Sequence, residues 1–192
     1  MSRGACGLFD MQTETRITLT TKKKKPRKEK RVLVLGVGNI LLKDEGIGVH
    51  VVREMQKRDL PDYVRLVDAG TAGLDILLSA EKACKLILID ALRAGGRAGT
   101  IYRLRLEAEQ KDELIKIFGG KETSRMSLHQ VGLVEALSIA EKMQCAPKEI
   151  VVIGVEPEEV NYGLELTNSV RRKILKIINT VLEEIEDAVH ER

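Results

Sequence analysis

The sequence predicts an α/β fold: a single domain in three layers, with a mostly parallel twisted sheet of about five strands and helices on both faces. Three observations carry this expectation. Solid apolar blocks recur at Val32-Leu33-Val34-Leu35, Leu86-Ile87-Leu88-Ile89 and Ile150-Val151-Val152-Ile153. They are too short for helices and lack the alternation of a half-exposed strand, so they read as strands buried on both faces. Between and after them lie segments with apolar residues at helical spacing, and strands alternating with helices imply a parallel sheet covered by helices on its two sides.

Each element has its own warrant. Residues 31–35 form the first strand. Residues 46–57 form a helix with Ile47, Val51, Val52 and Met55 on one face. Residues 64–67 form the second strand, which ends at Asp68, and a helix through Leu74, Ile76 and Leu77 runs to about residue 83. Residues 85–89 form the third strand, closed by Asp90. Residues 100–104 alternate weakly after the Gly95-Gly96 turn and read as an edge strand, and residues 107–118 as a short helix. Ser127-Leu128-His129-Gln130 has the form of a capping box, with Ser127 as N-cap and Gln130 at the third helical position, opening a helix to about residue 143. A buried strand at 150–153 precedes a C-terminal helix carrying Val170, Ile174, Ile177, Ile178, Val181, Leu182 and Ile185.

Length and charge narrow the function. A chain of 192 residues that is 43% hydrophobic suits one domain with one sizeable core. No apolar run approaches the roughly 20 residues needed to cross a bilayer, and the N-terminus has no apolar secretory core. Cys6, Cys84 and Cys145 are scattered and form no paired motif, as expected of a reduced, cytoplasmic protein. The net charge of +3 hides an asymmetry. Residues 1–30 hold nine basic and three acidic residues, leaving 23 basic and 26 acidic in residues 31–192. The run Lys22-Lys23-Lys24-Lys25-Pro26-Arg27-Lys28 makes residues 1–30 a basic extension that cannot bury apolar surface, and disorder is expected there. The domain itself is mildly acidic, which gives no reason to expect nucleic-acid binding.

The most informative segment is Gly38-Asn39-Ile40-Leu41-Leu42-Lys43-Asp44-Glu45-Gly46-Ile47-Gly48, directly beyond the first strand. In an open α/β sheet, ligands and chemistry gather in the loops beyond the carboxyl ends of the strands. Glu45 opens the helix after strand one, Asp90 closes strand three, and His129 lies in the first turn of a later helix. Neighbouring strands run about 5 Å apart, so such residues can converge. Two carboxylates and an imidazole suit a first-row divalent ion such as zinc or nickel, with a coordination position left for water or substrate. Taken singly, each has an ordinary explanation: a favourable acid near a helix start, a turn-former, a surface or core histidine. His50 and His190 read as structural or solvated, and Cys84 and Cys145 as small core residues. A rival reading is a nucleotide-binding or docking module. Gly36-Val37-Gly38 with Asp68 is a partial dinucleotide pattern, but Leu41 stands where its third glycine belongs.

These segments resemble the maturation endopeptidases of [NiFe] hydrogenases, over about residues 31–185. The Gly38–Gly48 segment is similar to the family signature. Asp68-Ala69-Gly70-Thr71-Ala72-Gly73, Ile89-Asp90-Ala91, Ser127-Leu128-His129-Gln130-Val131-Gly132 and Gly154-Val155-Glu156-Pro157 resemble its other motifs in order. The resemblance implies an endopeptidase that removes a C-terminal extension from the hydrogenase large-subunit precursor after nickel insertion. It implies Glu45, Asp90 and His129 as the metal-contacting and catalytic residues, with Asn39, Asp68, Gly70 and Thr71 meeting the substrate. The nickel is then supplied by the precursor, with zinc or cadmium able to replace it in vitro. The basic extension at 1–30 departs from the family pattern, whose members usually begin almost directly with strand one.

Overall fold

The computed structural model describes residues 31–71, 83–107 and 147–190. Within them a five-stranded sheet forms from β1 (Arg31–Val37), β2 (Val64–Gly70), β3 (Ala83–Ala91), β4 (Ile101–Glu107) and β5 (Glu149–Val155). The order across the sheet is β2-β1-β3-β5-β4. The first four run parallel, and β4 lies antiparallel on the edge against β5. The fold is the expected α/β class, and the expected strands are present, each longer than expected because ladder pairing continues through flanking residues such as Gly36–Val37, Asp90–Ala91 and Gly154–Val155.

The two faces of the sheet explain the solid apolar runs. Val32, Val34, Ile87, Ile89, Val151 and Ile153 point to one face, where they pack with α1 (Ile47–Met55) and α3 (Ile174–His190). Leu33, Leu35, Leu86, Leu88, Ile150 and Val152 form a second buried cluster on the other face. A strand that must be apolar on both sides has no polar position to alternate with. The described helices therefore lie on one face. The expected helices near 74–83, 107–118 and 127–143 lie outside the described residues, as do His129, Cys6, Cys145 and the basic extension.

Two helical boundaries differ from expectation. Glu45 does not stand in the first turn of α1. It belongs to a 3-10 turn, Lys43–Gly46, and Gly46 is the residue that caps α1. Lys43 enters this turn with φ 46°, a left-handed conformation that costs a non-glycine residue about 1–2 kcal/mol. Its backbone N–H bonds Gly163 O at 2.9 Å and its ammonium pairs with Glu159, which hold it there. The C-terminal helix is also split. A short helix, α2 (Asn168–Arg171), is separated from α3 by Arg172 and Lys173, because Lys173 N–H bonds Val170 O in a tighter i−3 turn. The apolar period runs through this break, which is why the sequence reads as one helix. Cys84 is half-buried rather than a core residue. Among the described residues no helix is long and apolar enough to cross a membrane.

Candidate active site

The strand order decides where chemistry can gather. From β1 the chain passes to β2 on one side, while β3 pairs with β1 on the other. The crevice between β1 and β3 is thus the topological switch point, where open α/β sheets bind ligands beyond their strand ends. Glu45 comes from the loop after β1 and Asp90 from the penultimate position of β3. The two acids reach the same end of the sheet from the two strands that flank the switch.

Close backbone packing holds them there. A Cβ on Gly48 would lie 2.1 Å from Ile89 O and 2.4 Å from Val37 O, so the start of α1 rests on the ends of both strands. A Cβ on Gly38, whose φ is +129°, would lie 1.8 Å from Glu45 O. Only glycine lets the loop fold this tightly over the turn that bears Glu45. Asp90 is 1% exposed, and its Oδ1 accepts the Ala91 backbone N–H at 2.8 Å. Glu45 is half-buried. Among the described residues no three His, Cys, Asp or Glu side chains form a metal-binding cluster, and the expected third ligand, His129, lies outside those residues.

Asn39, Asp68, Gly70 and Thr71, expected on the substrate side, all line one cleft of about 270 Å³. Its walls are the loop after β1, the end of β2, and Arg53 of α1. Asn39 Oδ1 accepts Leu41 N–H at 2.9 Å, a local turn that shapes the rim. Asp68 accepts Arg53 Nε at 2.9 Å and Gly70 N–H at 3.2 Å. Gly38 N–H bonds Gly70 O at 2.9 Å and stitches the two loops together. His50 is half-buried. Its Nε2 is buried without a hydrogen-bond partner among the described residues, and burial, then the nearby Arg53 and Arg171 charges, hold its pKa below the ordinary histidine value despite Asp68.

Two acids beside the site have roles that sequence reasoning missed. Asp44 is fully buried and does not face a ligand. Its Oδ2 accepts Glu158 N–H at 2.9 Å, Glu159 N–H at 3.1 Å and the Thr167 hydroxyl at 2.9 Å. Its Oδ1 accepts Thr167 N–H at 2.8 Å. It pins the segment 158–167 to the signature loop. Glu156, just beyond β5, accepts Ala94 N–H at 2.9 Å, Gly95 N–H at 3.3 Å, Gly96 N–H at 3.1 Å and the Tyr102 hydroxyl at 2.8 Å. Burial pushes its carboxyl pKa up, but these donors outweigh that and hold it below the usual carboxylate value. The only sequence signal for either was an acid inside a glycine-rich or acidic motif, which does not say whether the acid serves the fold or a ligand.

Comparison with known proteins bears on this arrangement. The sequence model of the HycI hydrogenase maturation protease family matches residues 49–184. The chain is 40% identical over 153 residues to the hydrogenase expression/formation protein HupD of Bradyrhizobium diazoefficiens, covering 79% of this chain and 76% of that protein.

The chain belongs to the hydrogenase maturation protease family.

Within the maturation proteases it is also 38% identical to the hydrogenase 2 maturation protease of Escherichia coli, over 82% of this chain and 92% of that protein. The solved hydrogenase maturating endopeptidase HybD from E. coli superposes with a TM-score of 0.72 at 37% identity, covering 82% of this chain and 93% of that one. Membership of a protease family removes the nucleotide-module reading of the glycines, and packing accounts for Gly36: a Cβ there would lie 2.2 Å from Gly48 O.

Proposed function

We propose that this maturation protease removes a C-terminal extension from the large-subunit precursor of a [NiFe] hydrogenase, and does so after nickel has been inserted. Glu45, Asp90 and His129 contact the substrate's nickel. The observation that carries the reading is the delivery of Glu45 and the buried Asp90 to the switch point between β1 and β3. Two carboxylates and an imidazole are a donor set that suits first-row divalent ions, and zinc or cadmium would then be held in vitro by the same groups.

The substrate's nickel supplies binding energy that exists only when assembly is complete. A precursor without it loses those contacts and stays uncut, so the three side chains act as a sensor of completed assembly. The chemistry needs a base. One of the two carboxylates takes a proton from water as the water oxygen adds to the scissile carbonyl carbon. The C–N bond then breaks and the proton passes to the leaving amine. The cleft lined by Asn39, Asp68, Gly70 and Thr71 takes the chain beside the cut, with Ile40, Leu41 and Val49 adding apolar lining.

Incubation of the full chain with nickel-loaded and nickel-free precursor, read by the mass of the released peptide, tests this. Release from loaded precursor alone is expected, and His129→Ala and Glu45→Gln should abolish it. Equal cutting of both precursors removes the sensing role, and unaltered cutting by both variants removes the assigned residues.

A further inference from the structure

A second cleft, of about 530 Å³, opens at the same end of the sheet, between the start of β4 and the start of α3. Arg97, Thr100, Arg103, Lys173, Lys176 and Thr180 line it. Arg103 is committed to Glu183, Glu184 and Asp187. Arg97, Lys173 and Lys176 have no carboxylate partner among the described residues. Residues 31–192 hold more acidic than basic side chains, 26 against 23, so this concentration of unpaired positive charge runs against the domain's own balance.

Lys173 is placed rather than free to swing. Gly99 has φ +77°, and a Cβ there would lie 3.2 Å from both Cγ and Cε of Lys173 and 2.8 Å from Ser169 O. The lysine stem thus lies along the glycine backbone, half-buried, with its charge at the cleft. A partly buried cation without a counter-ion loses hydration, and an anionic ligand restores the balance.

We propose that this cleft docks an acidic peptide segment of the protein substrate, away from the residues that cut. The inference rests on the protease reading for the identity of the partner. Three features favour a carboxylate-bearing peptide over a single small oxyanion. The volume lies within the range of pockets that hold drug-sized ligands. The cations come from two separate segments, with Arg97 in the loop before β4, Lys173 just before α3 and Lys176 in its first turn. The nearby backbone donors that would cradle a phosphate are spent: Gly99 N–H bonds Glu156 O at 2.8 Å and Thr100 N–H bonds Arg97 O at 2.9 Å. The distance suits one chain serving both sites. Ile101, on the cleft, pairs with Val155, which pairs with Ala91 beside Asp90. Two strand spacings are about 10 Å, the length of roughly three extended residues.

The test uses the full chain and the variant Arg97→Gln/Lys173→Gln/Lys176→Gln, with equal melting temperature as the check on folding. Binding of a fluorescein-labelled hexaglutamate peptide is followed by anisotropy at low and near-physiological salt. The wild type should bind with a strong salt dependence, and the variant should lose about tenfold in affinity, as for a few exposed ion pairs removed together. Equal binding by both proteins overturns the proposal. Displacement by inorganic phosphate at concentrations below the peptide's own Kd also overturns it, in favour of an oxyanion site. If the triple variant does not fold, the single Lys176→Gln change at an exposed helix position carries the same comparison. With nickel-loaded precursor, the variant should raise KM about tenfold with kcat unchanged, because it loses ion pairs and no reacting group. An unchanged KM sinks the cleft while leaving the protease reading intact. A wild type that binds hexaglutamate but cuts no precursor sinks the protease reading while the cleft stands.

Discussion

Replacing Asp44 separates the fold-holding acid of the signature from the acid assigned to the site. Asp44 receives four hydrogen bonds, three on Oδ2 and one on Oδ1. In Asp44→Asn one carboxylate oxygen becomes an NH₂ group, which then faces Thr167 N–H or, flipped, the Glu158 and Glu159 N–H groups. Either orientation sets donor against donor. Hydrogen bonds to a charged acceptor contribute about 1.5–3 kcal/mol each, so one lost and the rest weakened costs about 3 kcal/mol. Asp44→Ala strands three backbone N–H groups at about 1–3 kcal/mol each, and water entering the vacated space offsets part of this, leaving about 4 kcal/mol. Thr167→Val removes only the hydroxyl bond and costs about 1.5 kcal/mol. Urea unfolding followed by circular dichroism should give the order Ala, Asn, Val from least to most stable. With a slope of about 2 kcal/mol per molar, the Asn variant's midpoint should fall by about 1.5 M. A midpoint for Asp44→Asn indistinguishable from wild type refutes the assignment of Asp44 as the pin between the two loops.

Other perturbations read other parts of the molecule. Glu184, fully buried, accepts Lys85 Nζ at 2.7 Å and also pairs with Arg103 and Arg105, so Glu184→Gln leaves Lys85 with only Glu149 at 3.1 Å. Breaking one side of a buried pair costs about 3–5 kcal/mol, and calorimetry should show a large drop in Tm. Gly36→Ala forces a methyl to 2.2 Å from Gly48 O and 2.7 Å from Val52 Cγ2, a packing penalty of about 3 kcal/mol that should destabilise the protein with or without added nucleotide. Glu156 has a folded pKa below its unfolded value, so the unfolded chain binds more protons on acidification. Its stabilisation is present above the ordinary glutamate pKa of about 4.3 and is lost as pH falls through the lower folded value. Glu156→Gln should flatten that part of the acid limb in urea melts run at successive pH values, and an unchanged slope counts against the nest around Glu156.

The central parallel strands β1, β3 and β5 were legible because a strand covered on both faces has no polar position to alternate with: Leu86–Ile89 is buried throughout. The helix over 47–55 was legible from its apolar face. The C-terminal break at Arg172 and Lys173 was not, because both residues favour helix and only their hydrogen bonding interrupts it. The candidate site was partly legible. Asp90 stands at a strand end that the sequence marks clearly. The division of labour between Asp44 and Glu45 was hidden, since adjacent acids carry the same local signal. Asp44 is spent on backbone donors at positions 158, 159 and 167, more than a hundred residues away in the chain.

By itself, then, the sequence determined the element types, the class of fold and the loops that carry polar groups, because these follow from local periodicity and from glycines and acids at strand ends. Tertiary structure decided the order β2-β1-β3-β5-β4, and with it the crevice that Glu45 and Asp90 flank. It also decided that Asp44 and Glu156 are consumed by the fold, and that Arg97, Lys173 and Lys176 share one cleft. Strand order, buried hydrogen bonding and charge proximity depend on residues far apart in the chain meeting in space, and no local pattern encodes those meetings.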